Sequence, residues 1–126
     1  MKKRSCKRFS IPGTVLYYKN KPRFFGKGKY SDDYYPVINI SRGGLSFLSN
    51  QRLKAGTSLI LKIIIPEISK ESEVIAVVKW ISKNPEQSYR YQTGLAFNSY
   101  GNRKNQNPKE VLLLLENLES ASAKQE

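Results

Sequence analysis

The sequence predicts an all-β protein, a six-stranded antiparallel β-barrel followed by a C-terminal α-helix. Three observations lead to this fold class. Short runs rich in β-branched and aromatic residues recur along the chain, turn-forming residues separate them, and a leucine-rich segment with helical spacing follows the last run. Because many short strands at regular spacing are typical of closed β-structures, we expect one closed or nearly closed barrel.

Six segments have the composition and patterning of strands. The first contains a Pro-Gly pair, which indicates a bulge near its start. A long loop rich in Gly, Pro, Asn, Asp and cations follows at residues 19–34, and Gly43-Gly44 predicts a sharp bend between the second and third strands. The predicted strands are residues 10–18, 35–41, 44–50, 59–67, 72–82 and 89–99.

The leucine-rich segment predicts one amphipathic helix. Asn107 is expected as its N-cap, Pro108 at its first position and Glu110 at its third, which is a capping-box arrangement. The helix is expected either to plug the open end of the barrel or to present apolar surface to a partner. Its predicted apolar face consists of Val111, Leu114, Leu115 and Leu118.

Charge is the outlying property of the composition. The 126 residues suit one domain, in which 22 Lys and Arg against 10 Asp and Glu give a formal charge of +12. A field of this sign attracts phosphate groups, whether in a nucleotide, a nucleic acid or a lipid headgroup. The single cysteine, Cys6, excludes an internal disulfide and suits a reducing compartment.

Several classes of protein are disfavoured by what the sequence contains. With no histidine in the chain, a Cys-His nucleophile pair is excluded. The carboxylate pairs Asp32-Asp33 and Glu71/Glu73 have no nucleophile or metal-ligand cluster beside them. The longest apolar run is far shorter than the roughly 20 residues of a membrane helix, and the basic start is not followed by a signal-peptide core. We therefore expect a cytoplasmic, non-catalytic protein with no membrane span, no metal and no cofactor.

Two short motifs consist of residues that would not contribute to a hydrophobic core. Arg4 and Arg8 form R-x-x-x-R in the basic N-terminal segment. Asn39, Ser41 and Gly44 form N-x-S-x-x-G at the end of the second predicted strand and the start of the third. The strands ending VVKW and TGLAF and the helix then follow in order. Over nearly its whole length the chain resembles a PilZ domain, the bacterial receptor module for cyclic di-GMP, which has an RxxxR arm and a [D/N]xSxxG motif on a split barrel.

The resemblance implies that cyclic di-GMP is the ligand and that the five motif residues bind it. Arginine pairs with phosphate oxygens or with the O6 and N7 atoms of guanine. The amide of Asn39 suits the Watson–Crick edge of guanine, Ser41 suits a phosphate or a base edge, and Gly44 lets the backbone approach the ligand. Secondary candidates are Lys7, Arg42 and Trp80.

The resemblance also implies a mode of action. Residues 1–9 are expected to be a basic ligand-binding arm, residues 10–120 the barrel with its helix, and residues 121–126 a disordered tail. Binding of cyclic di-GMP is expected to order the arm over the barrel and so to signal to a partner effector protein. The stretch between Arg8 and Asn39 is longer than the family leads us to expect.

A second function remains open from the residues alone. The loop 19–34 interleaves cations with Phe24, Phe25 and Tyr30, a mixture that single-stranded nucleic-acid binders use for phosphates and base stacking. The alternative function is therefore a nucleic-acid-binding β-barrel. The structural alternative for the same loop is a surface hairpin whose aromatic side chains pack on the barrel.

Overall fold

The strands close into a single antiparallel barrel. The computed structural model describes residues 7–21, 29–85 and 88–124. Around the barrel the strands follow the order β1-β2-β3-β6-β5-β4, and every neighbouring pair is antiparallel. The predicted fold class is confirmed. The elements are β1 Val15–Asn20, β2 Tyr35–Ser41, β3 Gly44–Ser49, β4 Ser58–Ile64, β5 Ser72–Lys83, β6 Tyr91–Phe97 and α1 Lys109–Lys124.

The barrel interior is filled by alternate residues of the strands. In β4 the side chains of Leu59, Leu61 and Ile63 are buried, and the residues between them reach the outer surface. Phe47 of β3 lies in the interior with no exposed surface. Each such side chain stabilises the barrel by about 1.5–3 kcal/mol relative to its exposed state. The interior is therefore packed with side chains, so a ligand pocket has to lie elsewhere.

The chain enters β1 through a turn, so the predicted bulge at Pro12-Gly13 is wrong. The backbone N–H of Thr14 donates to the carbonyl of Ile11 at 3.2 Å, and Gly13 has a φ of 90°. Proline at the second position and glycine with positive φ at the third favour a type II turn. The strand consequently begins at Val15, five residues later than the predicted start.

The helix covers the barrel with only part of its apolar surface. Val111 and Leu115 belong to the core, whereas Leu113 keeps 59% of its surface exposed. The helix continues to Lys124, so the predicted tail beginning at residue 121 is mostly helical. Alanine and lysine in this last turn favour the helical conformation. In the described ranges of the chain, no helix is long and apolar enough to cross a bilayer.

Asn107 does not cap the helix, and the predicted capping box is wrong. Its Oδ1 accepts a hydrogen bond from the backbone N–H of Ile75 at 2.7 Å, and its Nδ2 donates to the carbonyls of Ile75 and Asn98, each at 3.0 Å. Strand β6 ends at Phe97, and the N–H of Asn98 still donates to the carbonyl of Ile75 at 2.9 Å, but the N–H of Ile75 needs a partner from elsewhere. An amide supplies both donor and acceptor, and Asn107 is accordingly buried.

Candidate functional site

A pocket of about 320 Å³ lies on the barrel where the turn between β2 and β3 meets β5 and β6. Four of the predicted site residues, Arg8, Ser41, Gly44 and Trp80, line it. The structure thus brings together one arginine of the first motif and two residues of the second. The complete lining is Arg8, Ser41, Gly43, Gly44, Leu45, Lys79, Trp80, Gly94, Leu95 and Ala96.

Arg8 is held at the pocket by the residue that follows it. Phe9 is buried and pairs with Ile40 of β2, and the two residues exchange backbone N–H to carbonyl hydrogen bonds of 2.9 Å in both directions. In this antiparallel register Arg8 stands opposite Ser41. Sequence analysis placed Phe9 in the arm, whereas the structure places it in the core. The only sequence signal was one aromatic residue directly after a cationic run.

Ser41 and Gly44 shape the turn that forms one wall of the pocket. The Oγ of Ser41 accepts a hydrogen bond from the N–H of Gly43 at 3.1 Å and donates to the carbonyl of Gly44 at 3.4 Å. A β-carbon at position 44 would stand 2.0 Å from the carbonyl oxygen of Leu95. Glycine is therefore required here for β3 to pack against β6, in addition to any approach by a ligand.

Trp80 forms a second wall and lies against Gly94. A bulge between Val78 and Trp80 leaves Lys79 as the extra residue of β5 opposite β6. Bulges of this kind re-aim side chains beside binding sites. The indole is 38% exposed, and a β-carbon at position 94 would stand 2.1 Å from its Cε2 atom. Sequence analysis did not single out Lys79 or Gly94, because only the tertiary fold brings them to the pocket.

The other predicted site residues lie away from the pocket lining. Asn39 is half-buried on β2, and its Oδ1 accepts a hydrogen bond from the Oγ of Ser46 at 3.2 Å. Because Ile40 points into the core, Asn39 shares the outer face of β2 with Ser41. Lys7 is exposed and does not line the pocket. Arg4 lies outside the described residues.

Arg42 faces the helix and not the pocket. Its guanidinium nitrogens lie 3.8 Å from a carboxylate oxygen of Glu116 and 3.9 Å from one of Glu119. The hydroxyl of Tyr100 donates to the backbone carbonyl of Arg42 at 2.6 Å. The turn that carries the second motif is thereby joined to α1, and the charge of Arg42 is balanced by the helix.

The chemistry of the lining suits an anion that carries an aromatic ring. Arg8 and Lys79 supply positive charge, and none of the described lining residues is acidic. The indole of Trp80 offers an exposed aromatic face, and the guanidinium of Arg8 forms paired hydrogen bonds with phosphate. Gly43, which is exposed and has no side chain, lets a ligand approach the backbone of the turn.

The described part of the loop 19–34 packs on the barrel. The hydroxyl of Tyr30 donates to the carboxylate of Glu73 at 2.6 Å, and the ammonium groups of Lys19 and Lys62 lie 4.4 and 4.6 Å from its ring centroid. Burial, followed by the hydrogen bond to Glu73, raises the pKa of Tyr30 above its usual value. This arrangement supports the surface-hairpin interpretation of Tyr30. Phe24 and Phe25 lie outside the described residues.

The fold and the pocket define a small β-barrel domain with a cationic pocket on its wall. Residues 2–112 match the PilZ domain family, and the chain belongs to that family. The resemblance that the two motifs indicated is thereby confirmed. A search of curated proteins finds no significant match.

Three solved structures share the fold. The Bacillus subtilis inhibitor of motility, MotI/DgrA, has a TM-score of 0.65 and 21% identity over 98% of this chain and 53% of its own. The PilZ domain of YcgR from Escherichia coli, solved with c-di-GMP, has a TM-score of 0.64 and 14% identity over 98% and 94%. MrkH, a c-di-GMP-dependent transcription regulatory factor, has a TM-score of 0.51 and 17% identity over 76% and 43%. The chain thus spans about half the length of MotI/DgrA.

Proposed function

We propose that the chain is a receptor domain for cyclic di-GMP, which binds in the pocket beside Arg8. One observation carries the proposal. The pairing of Phe9 with Ile40 holds the second arginine of R-x-x-x-R opposite Ser41 of N-x-S-x-x-G, at the mouth of a cationic pocket. Family membership and the YcgR domain solved with c-di-GMP support the same ligand.

Three residues of the pocket lining and two predicted residues outside it have separate roles in this proposal. Arg8 pairs with a phosphate or with the Hoogsteen edge of a guanine. Trp80 stacks on a base, and Lys79 adds positive charge close to the phosphates. Asn39 presents its amide to a guanine from the outer face of β2, next to Ser41. Arg4 binds the ligand as well, from the N-terminal arm.

The arm provides a means of signalling. Lys2, Lys3, Arg4, Lys7 and Arg8 give the arm five positive charges, which repel one another without ligand. Bound phosphates neutralise part of this charge, so the residues before Phe9 fold over the pocket in an order–disorder transition. Phe9 is the anchor about which the arm folds, since it is already buried. A partner effector protein then reads the altered surface.

The proposal keeps the predicted arm and barrel unit but changes two boundaries. At the C-terminal side, α1 continues to Lys124 and so takes in most of the predicted tail. The ligand-binding arm ends at Arg8, and the barrel unit begins at Phe9 because that residue is in the core. We place the receptor in the cytoplasm, because its one cysteine suits a reducing compartment. No catalytic residue and no resident cofactor belong to the proposal.

Calorimetric titration of the full chain with cyclic di-GMP tests the proposal directly. We expect saturable binding of cyclic di-GMP, no binding of GTP at the same concentrations, and only salt-sensitive binding of a single-stranded oligonucleotide. Absence of cyclic di-GMP binding would overturn the proposal. Saturable oligonucleotide binding that persists at physiological salt would instead favour the nucleic-acid function of the loop 19–34.

Amide hydrogen exchange tests the movement of the arm separately. With cyclic di-GMP we expect new protection at residues 3–8 and 39–44, while the amide of Phe9 is protected in both states because it donates to Ile40. Tight binding without new protection in residues 3–8 would refute the ordering of the arm but leave the receptor function intact. Protection confined to residues 19–34 would contradict both.

A further inference from the structure

A second groove lies at the opposite end of β2, β3 and β6 from the ligand pocket. It has a volume of about 580 Å³, and three of its six lining residues are tyrosines. A neighbouring depression of about 510 Å³ shares Asp33 and Tyr35 with it and also contains Asp32. We call the first of these the tyrosine groove. Its lining consists of Asp33, Tyr34, Tyr35, Asn50, Ser88 and Tyr89.

Each of the three rings contacts another aromatic ring and still reaches solvent. Tyr35 and Tyr89 meet edge to face, with their centroids 6.4 Å apart at 70°, and Tyr35 also packs on Phe47 of the core. Tyr34 meets Tyr17 at 6.2 Å and yet keeps 58% of its surface exposed. Tyrosines held in this way offer large contact area at low cost in side-chain entropy, which is why they are enriched in interfaces.

The groove is acidic on a strongly basic protein. Asp32 and Asp33 are the only adjacent pair of acidic residues in a chain of charge +12. Asp32 lies 3.3 Å from Lys29, and Asp33 makes no ion pair within the described residues. Burial, followed by the nearby charge of Asp33, raises the pKa of Tyr35, which agrees with a carboxylate close to that ring.

We propose that the tyrosine groove binds an extended proline-containing segment of a partner protein, with an arginine or lysine next to the prolines. Polyproline II segments are already ordered before binding, and aromatic-lined grooves recognise them by packing against their rings. The tyrosine hydroxyls donate to the carbonyls of the segment, which have no internal hydrogen bonds. Asp33 pairs with the basic residue and sets the direction of the segment.

The charge of the groove favours a basic proline-containing segment over two other ligands that also stack on aromatic rings, a nucleic-acid strand and an oligosaccharide. A nucleic-acid strand in the tyrosine groove would bring its phosphates against Asp33, the one charged residue of the lining, which repels them. An oligosaccharide would stack on the tyrosines and donate hydroxyls to Asp33, but it would bring no positive charge to balance that carboxylate. The proposal does not rest on cyclic di-GMP binding, because the groove shares no lining residue with the pocket beside Arg8.

NMR titration of the full isotope-labelled chain tests the proposal. The probes are a panel of ten-residue peptides that carry Pro-x-x-Pro with arginine at the N-terminal end, at the C-terminal end or at neither. Matched peptides with alanine for proline, a xylohexaose and a deoxythymidine decamer serve as competing ligands. We expect shifts of the amides of Tyr34, Asn50 and Tyr89 with a proline peptide that carries arginine, and weaker shifts with its alanine counterpart.

Two variants and one control assign the contacts. Tyr34→Ala is expected to weaken peptide binding by about tenfold, as the loss of an interfacial tyrosine does. The control is Leu113→Ala, which removes an equally exposed side chain from α1 and should leave peptide binding unchanged. Asp33→Asn should remove the preference for arginine only. The proposal is overturned if no peptide of the panel shifts these amides, if the alanine peptides bind equally, or if only the sugar or the oligonucleotide binds there.

Discussion

Trp80 lies directly on the backbone of Gly94, with no room for a side chain between them. A β-carbon at position 94 would stand 2.1 and 2.2 Å from the Cε2 and Nε1 atoms of the indole. The bulge at Lys79 turns Trp80 to this position, and both residues line the pocket. The glycine therefore sets where the aromatic wall of the pocket stands.

We expect Gly94→Ala to displace the indole and to lower the affinity for cyclic di-GMP by about tenfold, because stacking on one base contributes about 1–3 kcal/mol. Trp80 is the only tryptophan of the chain, so intrinsic fluorescence reports on this wall alone. The emission maximum should move to longer wavelength in Gly94→Ala without ligand. Unchanged emission together with unchanged affinity would show that the contact with Gly94 does not position Trp80 for the ligand.

Arg8 is expected to hold the ligand without supporting the fold. Arg8→Ala should weaken cyclic di-GMP binding by about tenfold or more, since a hydrogen bond to a charged group contributes about 1.5–3 kcal/mol. The side chain is exposed, so the free energy of unfolding should not change. Arg4→Ala is expected to have a similar effect on affinity.

The matched control for Arg8 is Lys83→Ala, which removes one exposed positive charge from the C-terminal end of β5, outside the pocket lining. It should lower affinity only slightly and only at low salt, because it acts through long-range attraction. Isothermal titration at two salt concentrations separates the two effects. Equal losses in Arg8→Ala and Lys83→Ala would mean that net charge, and not a contact by Arg8, holds the ligand.

Asn39 and Ser41 are expected to differ in what they contribute. Asn39→Ala should reduce the preference for cyclic di-GMP over cyclic di-AMP, because it removes an amide that reads the guanine edge. Ser41→Ala should lower the affinity for both ligands modestly, since its Oγ holds the turn at Gly43 and Gly44. Competition titration with the two dinucleotides measures both effects, and equal binding of both by the parent chain would contradict guanine recognition at Asn39.

Arg42 is the secondary candidate that the structure turns away from the pocket. Its partners Glu116 and Glu119 are on α1, at 3.8 and 3.9 Å. We expect Arg42→Ala to change the affinity for cyclic di-GMP much less than Arg8→Ala does. Its effect on the free energy of unfolding should be about 1 kcal/mol or less, because the ion pairs are partly exposed. A loss of affinity equal to that of Arg8→Ala would show that the ligand recruits Arg42 from the helix.

Most of the fold was predictable because local patterns determine it. The bounds predicted for β2 and β3 agree with the structure within one residue, since Gly43-Gly44 separates two strand-forming runs. The turn at Pro12-Gly13 was missed because the same dipeptide suits a bulge or a turn. The order of the strands around the barrel depends on contacts between distant residues, which a single sequence does not display.

Apart from Trp80, the pocket residues that the sequence predicted belong to one of the two motifs. Ser41 and Gly44 carry a motif, whereas Gly94 and Lys79 reach the pocket through the pairing of β5 with β6 and a bulge. The role of Asn107 in the fold likewise depends on tertiary contacts that the sequence does not display. Its position before a proline is typical of a helix cap, but the end of β6 leaves the N–H of Ile75 on β5 without a strand partner, and the amide of Asn107 accepts from it instead.

Asn107 is therefore expected to be important for stability. Asn107→Ala removes three hydrogen bonds of 2.7–3.0 Å and leaves the part-buried N–H of Ile75 without its acceptor. We expect the free energy of unfolding to fall by about 2–4 kcal/mol, at about 1 kcal/mol for each bond and more for a donor left unsatisfied. Urea unfolding measures this change, with the exposed Asn102→Ala as control. A loss below about 1 kcal/mol, or an equal loss in Asn102→Ala, would show that water replaces the amide at the end of β6.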